Sequence, residues 1–451
     1  MAEIVTAAQG NADLATVVAD AEAGYVAANP ESARLAGEAR ASLPGGNTRT
    51  TLHYSPFPLH VRRAAGSRIT DVDGHTYVDF INEHTAGLFG HTEPVIQDAI
   101  RTALADGTVL GAPSIYDHVL AAELQKRFPA LERLRFCNSG TEANLLAVST
   151  ARAVTGRPGL MVFAGGYHGG MLYFGHGASP INIPFPVVVS TFNDPEKAVA
   201  DLRAHAGELA AVIVEPMQGA AGALPGTVEF LHALQAACEA HGVLFILDEV
   251  MTSRLGPGGL QGRLGLEPDL VTLGKYIGGG LTIGCFGGRA DVMDRFDPSR
   301  RDAIPHGGTF NNNVLAMAAG SAALTKVLTA ERQNAMNARG DRLREGLAAL
   351  IAASGLPMQA TGVGSIFGLH FHAGPLRNEA DADAWAAGRQ AEIDALKKLF
   401  QFDLLAAGQY VTRRILGNLS LVTSDAEVDG LLAAFEEFLA TRGGLIRQAL
   451  C

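Results

Sequence analysis

One lysine differs from all the others in its sequence surroundings. Lys275 lies in the stretch VTLGKYIGGG, between an apolar run and three glycines, whereas the other five of the six lysines lie in polar, helix-like segments. An amine at the end of an apolar strand is poorly solvated, and desolvation lowers its pKa and leaves a nucleophilic free amine. Such an amine suits a lysine that forms a Schiff base with an aldehyde. The alternative is an exposed lysine at the turn after a strand.

A carboxylate follows another apolar strand, 27 residues before this lysine. The stretch VLFILDEV ends in Asp248 and Glu249, and a carboxylate directly after a buried strand faces the ligand edge of a sheet. Two other interpretations are open. Asp248 could bind Mg²⁺ as in an NTPase, but that requires an upstream G-x-x-x-x-G-K-[ST] loop, and the sequence has none. Asp248 could also simply cap the turn after the strand.

Three loops carry groups that suit a phosphorylated aromatic ligand. In FCNSGTEAN a strand ends and Ser139, Gly140 and Thr141 open a helix, where free N–H groups and the helix dipole favour an anion; ordinary N-capping is the alternative. Tyr167, in AGGYHGG, could stack on a ring or simply pack. Thr309, in HGGTFNNN, is a second candidate phosphate contact. Together with the aspartate and the lysine, these loops indicate pyridoxal phosphate.

The pattern of helices and strands predicts an α/β fold that can position these groups. From about residue 93, helices alternate with short apolar strands, which predicts a mainly parallel sheet covered by helices on both faces. Ligands on such sheets lie beyond the carboxyl ends of the strands. Two helical patterns within 12–41 and a small antiparallel sheet precede this region. Beyond residue 325, a smaller α+β unit is expected, with helices at 329–353, 379–401 and 426–442 and strands near 358–371 and 408–422.

Composition and charge exclude several classes of protein. The net charge is −11 and the basic residues are scattered, which argues against nucleic-acid binding. The four cysteines lie far apart without a C-x-x-C pair, which argues against a zinc site and against a disulfide framework. No metal is expected. The start of the chain has no secretory signal pattern and no apolar run of about eighteen residues is present, so we expect a cytoplasmic protein that acts on small molecules, not at a membrane.

The order of the motifs resembles that of the class III aminotransferases, which are fold type I pyridoxal-phosphate enzymes. The motifs are S-G-T-E-A, Y-H-G, E-P, D-E-V, G-K and G-G-T-F, and the resemblance runs from about residue 40 to the end. It implies a large domain with a mainly parallel seven-stranded sheet between helices, plus a smaller α+β domain. The expected units are 1–65 (N-terminal arm and part of the small domain), 66–325 (large cofactor domain) and 326–451 (C-terminal small domain). It also implies a homodimer with shared active sites.

The same resemblance implies a role for each site residue. Lys275 would hold the cofactor covalently and move a proton during catalysis, and Asp248 would keep the pyridine nitrogen protonated, which makes the ring an electron sink. The other implied cofactor contacts are Tyr167 and Val250 on the two ring faces, Ser139, Gly140 and Thr141 at the phosphate, Thr309 of the neighbouring subunit at the same phosphate, and Glu215 near the ring hydroxyl.

The substrate is indicated by arginines. SLPGGNTRT resembles the start of the glutamate-1-semialdehyde aminomutases and of the β-amino acid aminotransferases, which implies that Arg49 lies over the substrate. A guanidinium suits a carboxylate because it stays charged and can form two parallel hydrogen bonds; a structural arginine is the alternative. AAGALPG, after EPMQG, differs from the N-M-G pattern of the aminomutases, and YVTRRILGNLSL differs from them by carrying Arg413 and Arg414. One arginine of that pair is expected to bind 2-oxoglutarate.

The leading hypothesis is therefore an aminotransferase that moves the amino group of an aromatic β-amino acid, such as β-phenylalanine, to 2-oxoglutarate by a ping-pong mechanism. The alternative within the family is a glutamate-1-semialdehyde 2,1-aminomutase, which returns the amino group to the same carbon skeleton. Two hypotheses come from other classes. A non-enzymatic pyridoxal-phosphate-binding regulator normally needs an appended DNA-binding module, and a nucleotide-binding ATPase needs a phosphate loop; the sequence shows neither.

Overall fold

A computed structural model of the protein describes residues 13–451. The first twelve residues of the expected N-terminal arm lie outside that range. The α-helices are α1 Leu14–Ala28, α2 Pro30–Ala39, α3 Pro94–Asp106, α4 Asp117–Arg127, α5 Gly140–Thr155, α6 Pro195–His205, α7 Val228–His241, α8 Gly259–Leu264, α9 Ala290–Met293, α10 Val314–Ala322, α11 Ala330–Ser354, α12 Glu379–Ala386, α13 Gln390–Ala406 and α14 Asp425–Leu450. Short 3₁₀ turns lie at Pro44–Gly46, Thr50–Leu52, Ser253–Leu255, Lys275–Gly278 and Asp294–Phe296, and a π turn at Ala323–Val327.

The β-strands within residues 13–451 are short. They are β1 Val61–Ala65, β2 Arg68–Asp71, β3 Thr76–Asp79, β4 Arg133–Cys137, β5 Gly159–Phe163, β6 Val187–Ser190, β7 Leu209–Val214, β8 Met217–Gln218, β9 Leu224–Pro225, β10 Leu244–Asp248, β11 Leu270–Gly274, β12 Gly284–Gly288, β13 Gln359–Val363, β14 Ile366–His370, β15 Gln409–Tyr410 and β16 Leu416–Asn418. They form a large sheet, two smaller sheets and the pair β8–β9.

The large sheet has seven strands in the order β4-β12-β11-β10-β7-β5-β6. Neighbouring strands are parallel from β11 to β6, whereas β12 runs antiparallel to both β11 and β4. The predicted mainly parallel sheet is confirmed, and β12 is an addition to the predicted strands. Strand β12 reads GCFGG, and its three glycines conceal it from a search for apolar alternation.

Both faces of this sheet are buried by helices. Successive side chains of a strand point to opposite faces, and in β7 Ile213 joins the core beneath α5 whereas Val212 joins the core beneath α6 and α7. In β10, Ile246 and Phe245 divide in the same way. Each such side chain contributes roughly 1.5–3 kcal/mol when it is fully buried. Burial on both sides explains why these strands read as continuous apolar runs.

The parallel strands bring the predicted site loops to one edge of the sheet. The loops after β4, β5, β7, β10 and β11 all start at carboxyl ends, because β4 is antiparallel to β12 and so runs in the same direction as β11. These loops begin at Asn138, Ala164, Glu215, Glu249 and Lys275. The fold therefore gathers motifs that are dispersed over more than a hundred residues of sequence.

One of the smaller sheets joins the two ends of the chain, whereas the other, β13-β14-β16, is built from C-terminal strands alone. Strands β1, β2 and β3 form the expected antiparallel sheet, and β15 extends it in parallel by pairing Gln409 with Val78. Helix α1 packs on α13, where the rings of Tyr25 and Phe402 are stacked with centroids 4.8 Å apart. The division of the chain at residues 65/66 and 325/326 stays a prediction.

Two expected elements of the C-terminal region are broken. The expected helix 379–401 is two helices, because Gly388 lies between them with φ +74°, in the left-handed region that favours glycine. The expected strand near 408–422 is reduced to β15 and β16, and Arg413 and Arg414 occupy a turn between them. The two arginines therefore do not alternate along a strand.

No single helix within residues 13–451 is both long and apolar enough to cross a membrane. One bent pair, Val314–Val327 with Ala330–Ser354, passes the test of length and composition only when the two segments, which are 84° apart, are taken together.

Candidate active site

Lys275 is the first residue after β11. Its φ is 58°, a backbone conformation that non-glycine residues rarely adopt. Its side chain is partly buried, and Nζ donates a hydrogen bond to Thr85 Oγ1 at 3.0 Å. Burial lowers the pKa of the amine to about 8; the charges of Asp248 and Glu215 oppose this shift and that of Arg254 adds to it. About a tenth of the amine is therefore unprotonated at pH 7, several hundred times more than for an ordinary lysine, and the free amine is the form that nucleophilic and base chemistry requires.

Asp248 is the acceptor of a buried hydrogen-bond network. Its Oδ1 accepts from the N–H of Val250 at 3.0 Å, so Asp248 does cap the turn after β10. Its Oδ2 also accepts from Asn144 Nδ2 at 2.7 Å and lies 2.8 Å from His168 Nδ1. The side-chain amide of Asn144 is itself held by Thr272, whose Oγ1 donates to Asn144 Oδ1 at 2.6 Å. A turn cap needs neither Asn144 nor His168, and these two partners hold the carboxylate in one orientation.

His168 forms an ion pair with Asp248 inside the protein. Burial opposes the imidazolium, but the hydrogen bond to Asp248 and its negative charge outweigh burial, so the pKa of His168 is raised. Both side chains are almost completely buried. The pair places a fixed, compensated carboxylate at the ligand edge of the sheet.

Glu215 lies at the same edge of the sheet, directly after β7. Its carboxylate accepts N–H bonds from Tyr167 at 2.9 Å and from Gly219 at 3.1 Å. Burial raises its pKa to about 7; the charge of His168 acts in the opposite direction and that of Asp248 adds to the rise. Near neutral pH Glu215 can therefore either accept or donate a proton in a hydrogen bond. Tyr167 itself is partly exposed, with its ring 5.6 Å from that of Tyr173.

The anion loop lies at the start of α5. Ser139 is the N-cap, and its Oγ accepts from the N–H of Glu142 at 3.1 Å. The capping interpretation is therefore correct, although the Ser139 hydroxyl keeps its own proton for another acceptor. Glu142 bonds in turn to the N–H of Asn138 at 2.7 Å. The loop combines a helix N-terminus with small hydroxyl side chains, as anion binding requires.

Glycines allow the site loops to approach one another closely. A Cβ on Gly140 would lie 2.6 Å from Val250 Cγ1, and a Cβ on Gly169 would lie 2.6 Å from the Cα of Thr141. At Gly169 the φ of +115° also disfavours any side chain. The anion loop therefore packs directly against the loop after β10 and against the tyrosine loop, with no room for further side chains at these two contacts.

Thr309 lies in an exposed loop that is connected to the anion loop. Asn138 Nδ2 donates to Asn311 Oδ1 at 3.0 Å, which fixes this loop beside the start of α5. Thr309 itself is exposed, and in the described part of the chain its side chain makes no hydrogen bond to Ser139 or Thr141.

The two adjacent arginines point to different surroundings. Arg413 Nε donates to Gln401 Oε1 at 2.5 Å and Nη2 donates to Ser55 O at 3.0 Å, and its guanidinium lies over the ring of Tyr54. Arg413 is therefore a packing residue of the small unit. Arg414 is exposed, and its charge contributes to the pKa shifts of site residues, as described next for His84.

The positive charges of Lys275, Arg49 and Arg414 all act on His84, and we refer to the region of these side chains as the cleft. Burial lowers the pKa of His84 to about 4, and the nearby charges of Lys275, Arg49 and Arg414 lower it further, whereas that of Glu83 opposes them. The imidazole is therefore neutral near pH 7. Arg49 Nη2 itself donates to Glu83 Oε1 at 2.5 Å.

Residues 82–85 form an unusual backbone segment that the sequence did not reveal. Asn82, Glu83, His84 and Thr85 have φ values of 42°, 49°, 51° and 79°, so four successive non-glycine residues adopt left-handed conformations. Such conformations are strained and persist only where the surroundings enforce them. Asn82 Nδ2 donates to Asn418 O at 2.8 Å and to Asp79 O at 3.0 Å, which fixes the start of the segment.

Arg254 fixes the end of this segment. The guanidinium is completely buried, and Nη1 donates to Thr85 O at 3.2 Å and to Asn418 Oδ1 at 2.8 Å, while Nη2 donates to Leu419 O. No carboxylate lies within ion-pair distance of it among residues 13–451. Burial lowers the pKa of Arg254 to about 9, which still leaves it charged at neutral pH. It is a buried cation close to the lysine of the site.

Sequence reasoning missed several of these groups. Asn144 and His168 lie beside motif residues, in SGTEAN and YHGG, and their polarity within buried segments was an available signal. Thr85, His84 and Arg254 gave no local signal, because their roles depend on contacts across 169 and 190 residues of chain.

Comparison with known proteins places the chain in a family. Residues 51–437 match the family model described as Aminotransferase class-III. The chain is 46% identical over 432 residues to the β-phenylalanine transaminase of Variovorax paradoxus, which covers 96% of this chain and 98% of that protein. A crystal structure of a β-phenylalanine aminotransferase from the same organism has a TM-score of 0.93 and 45% identity, and covers 96% of this chain and 99% of that one.

Two further solved structures are similar over most of their length. One is described as a transaminase with PLP bound, with a TM-score of 0.83 and 32% identity, covering 94% of this chain and 99% of that one. The other is a glutamate-1-semialdehyde aminomutase from Pseudomonas aeruginosa PAO1, with a TM-score of 0.86 and 28% identity, covering 95% of this chain and 98% of that one. Neither the ATPase nor the non-enzymatic regulator is compatible with these matches. The chain belongs to the class III aminotransferases, a family of pyridoxal-phosphate-dependent enzymes with the fold type I architecture.

Proposed function

We propose that this aminotransferase moves the amino group of an aromatic β-amino acid, such as β-phenylalanine, to 2-oxoglutarate by a ping-pong mechanism. The observation that carries the proposal is that two guanidinium groups lie near the lysine of the site: Arg49 is paired with Glu83, two residues from the Thr85 that bonds Lys275, and Arg414 is close enough to His84 for its charge to lower the pKa of that imidazole. A donor with one carboxylate needs one of them, and an acceptor with two carboxylates can use both. The similarity to a β-phenylalanine transaminase at 46% identity supports the donor class.

Arg414 is the member of the pair that we assign to the α-carboxylate of 2-oxoglutarate. Arg413 is held by Gln401, by Ser55 O and over the ring of Tyr54. Its displacement toward a substrate would break all three contacts. Arg414 is exposed and close enough to His84 for its charge to lower the pKa of that imidazole. Arg49 is assigned to the β-carboxylate of the donor.

The residues present fit pyridoxal phosphate. Tyr167 and Val250 suit the two faces of a flat ring, because their loops both pack against the anion loop at the ligand edge of the sheet. The anion loop suits the phosphate through Ser139, Gly140 and Thr141, and Glu215 suits the ring hydroxyl because its pKa of about 7 lets it share a proton. Asp248 suits the protonated pyridine nitrogen because Asn144 and His168 already fix it.

The mechanism follows from what the side chains can hold and move. Pyridoxal phosphate supplies an electron sink for the negative charge that remains when a proton leaves the substrate carbon. Lys275 removes and returns that proton, since its pKa of about 8 leaves part of the amine free. Thr85 orients Nζ through its hydroxyl. Arg49 and Arg414 orient the substrate by its carboxylates, which places the reacting carbon at the amine.

We also propose that the active enzyme is a homodimer whose partner subunit contributes its Thr309 to the phosphate site. Several large apolar side chains are exposed from the last turn of α3 to the start of α4 and in the loop of Thr309: Leu104, Val109, Leu110, Ile115 and Phe310. Asn312 Nδ2 donates to Ala112 O at 3.2 Å, which makes the two segments one surface. An exposed apolar surface of this kind is typical of an interface, and a second copy of the chain is the occupant that we propose. Sedimentation of the purified protein as a monomer at micromolar concentration would contradict this.

A cytoplasmic location is part of the same proposal. All four cysteines are free thiols, three of them buried. Free thiols are typical of a reducing compartment. Fractionation of cells that express the protein would test this location.

The visible spectrum of the purified enzyme tests the proposed reaction. We expect β-phenylalanine to bleach the cofactor band and 2-oxoglutarate, added next, to restore it, because the two half-reactions occur separately. A band that β-phenylalanine leaves unchanged would contradict the proposed donor. Turnover of glutamate-1-semialdehyde without an external acceptor would favour the aminomutase alternative. A Lys275→Ala variant should lose the covalent chromophore and nearly all turnover, and full activity in it would contradict the role of Lys275.

A further inference from the structure

The arginine assigned to the substrate carboxylate already has a carboxylate partner within the protein. Arg49 Nη2 and Glu83 Oε1 are 2.5 Å apart, and the two side chains are 43% and 61% exposed. Arg414, by contrast, has no carboxylate within ion-pair distance in the described part of the chain. The two cations of the cleft are therefore not equivalent: one is neutralised by an internal carboxylate and the other is free.

The position of Glu83 is enforced by the backbone around it. Glu83 is the second residue of the left-handed segment 82–85, whose start is held by Asn82 and whose end is held by Arg254. Thr85, two residues later, accepts the hydrogen bond from Lys275. Strained conformations concentrate at functional sites, where their surroundings enforce them. The same segment thus presents Glu83 to Arg49 and Thr85 to the lysine.

We propose that Glu83 is a specificity-determining residue that occupies Arg49 as an internal competitor of the substrate carboxylate. An acid that takes the Nη2 donor of Arg49 must displace Glu83, whose side chain is exposed and can rotate into solvent while its backbone stays fixed. Glu83 then pairs with Arg49 again when the product leaves. This inference rests on the proposed role of Arg49 as the carboxylate site.

The competition has a consequence for a ping-pong enzyme. The donor, its keto product, the acceptor and the new amino acid all have to leave the same site in turn, and an internal carboxylate lowers the affinity of each for Arg49. Amines without a carboxylate do not compete with Glu83, so they leave the Arg49–Glu83 pair intact. Glu83 should therefore weaken the binding of acids and leave the binding of neutral analogues unchanged.

The expected effect is modest, because an exposed ion pair changes an affinity only by a factor of roughly 1.5 to 5. A Glu83→Gln variant should therefore bind a carboxylic acid about two to five times more tightly than the wild-type enzyme. Glu31→Gln is the matched control, because Glu31 forms an equally short pair with Arg34 at 2.5 Å and its side chain is 44% exposed. That pair lies on α2, which contributes none of the site residues.

The experiment measures heat on binding of 3-phenylpropanoate, which lacks an amino group and cannot react, to the cofactor-loaded enzyme. The neutral 3-phenylpropanamide serves as the second ligand. We expect the acid to bind more tightly to Glu83→Gln than to the wild type, and more weakly to Arg49→Gln than to the wild type. The double variant, which carries both substitutions, should bind the acid as weakly as Arg49→Gln alone. Glu31→Gln should bind it as the wild type does, and the amide should not distinguish Glu83→Gln from the wild type.

The outcomes separate this inference from the proposed function. If Arg49→Gln binds the acid as tightly as the wild type, the assignment of Arg49 is wrong and the inference is lost with it. If Arg49→Gln weakens binding but Glu83→Gln does not strengthen it, the assignment of Arg49 stands and the competition does not. If Glu83→Gln strengthens binding even without Arg49, the effect is a general loss of negative charge and the competition is again contradicted.

Discussion

Thr85 accepts a hydrogen bond from the amine of Lys275, with Nζ and Oγ1 3.0 Å apart, although 190 residues separate the two in the chain. The contact joins a strained segment after β3 to the lysine after β11. Arg254 holds the backbone of Thr85 from the other side. The amine is thus oriented by a part of the molecule that carries no recognisable motif.

Removal of the Thr85 hydroxyl should lower the pKa of Lys275. An acceptor that bonds to the ammonium favours the charged form, so in Thr85→Val the pKa should fall below its value of about 8. We also expect kcat to fall about tenfold, which corresponds to one hydrogen bond to a charged group. The pKa can be measured in cofactor-free protein from the pH dependence of acetylation of Lys275. Thr85→Ser keeps the hydroxyl and should behave as the wild type; identical profiles for Val and Ser would contradict the role of Thr85.

Burial of Lys275 should also make the stability of the cofactor-free protein depend on pH. The pKa of the amine is about 8 in the folded chain, against 10.5 when the amine is not buried, as in the unfolded chain. Below pH 8 both states hold the proton and the buried ammonium destabilises the fold, by about 3 kcal/mol. Between pH 8 and 10.5 the folded state loses its proton first, so this destabilisation disappears as the pH rises.

Lys275→Met is the variant that isolates this effect. Its advantage over the wild type in free energy of unfolding should be largest below pH 8 and should shrink toward pH 10. Urea unfolding of both cofactor-free proteins at several pH values would measure it. Lys126→Met, at an exposed position on α4, should show no such trend. An advantage independent of pH would mean that better packing, not the charge, is responsible.

Replacement of Asp248 by Asn should impair catalysis while the surrounding network survives. The amide keeps the size of the side chain and can still accept from Asn144 or Val250, but it cannot compensate His168 or a protonated ring nitrogen. We expect kcat to fall about 10²- to 10³-fold, as for loss of one fixed electrostatic group in an active site. Steady-state kinetics and cofactor content would be measured together. Wild-type kcat with normal cofactor content would contradict the proposed contact to the ring nitrogen.

The positions of the motifs could be predicted because a parallel sheet brings carboxyl ends together. An apolar run followed by Asp248, and another followed by Lys275, was enough to place both at one edge. The anion loop was recognisable because Ser139 and Gly140 start a helix after a strand. Strand β12 was missed because its glycines hide the apolar pattern, and it interrupts the parallel order that the rest of the sheet keeps.

The remaining site residues were not predictable from local sequence. Arg254 follows the DEV motif by only a few residues, but its partners Thr85, Asn418 and Leu419 come from distant segments. Nothing in its local sequence distinguishes a completely buried arginine from one on the surface. For the same reason the sequence left Arg413 and Arg414 equivalent, since only tertiary contacts distinguish them.

Arg254 should be essential for stability. Arg254→Met fills similar space but leaves the carbonyl groups of Thr85 and Leu419 without their donors, and each unsatisfied buried group costs about 1–3 kcal/mol. Removal of the buried charge, whose burial lowers the pKa of Arg254 to about 9, acts in the opposite direction and makes the net loss smaller than the sum of these costs. We expect a loss of about 3 kcal/mol in the free energy of unfolding, measured by urea titration. Arg289→Met is the control, because its guanidinium is half-exposed and pairs with Asp269 and Asp291 at the surface. A loss no larger than that of the control would show that the buried contacts contribute little.

The two adjacent arginines should give opposite results when each is replaced by Gln. Arg414→Gln should lower kcat/KM for 2-oxoglutarate about ten- to 150-fold, the loss of one charge-assisted contact worth about 1.5–3 kcal/mol, and should leave the thermal stability unchanged. Arg413→Gln should lower the melting temperature, because it removes the contacts to Gln401, Ser55 and the ring of Tyr54. Kinetics with each substrate and thermal unfolding of both variants would be compared. The assignment fails if Arg413→Gln loses 2-oxoglutarate selectively while Arg414→Gln retains it, since the turn between β15 and β16 would then have to present the other guanidinium to the cleft.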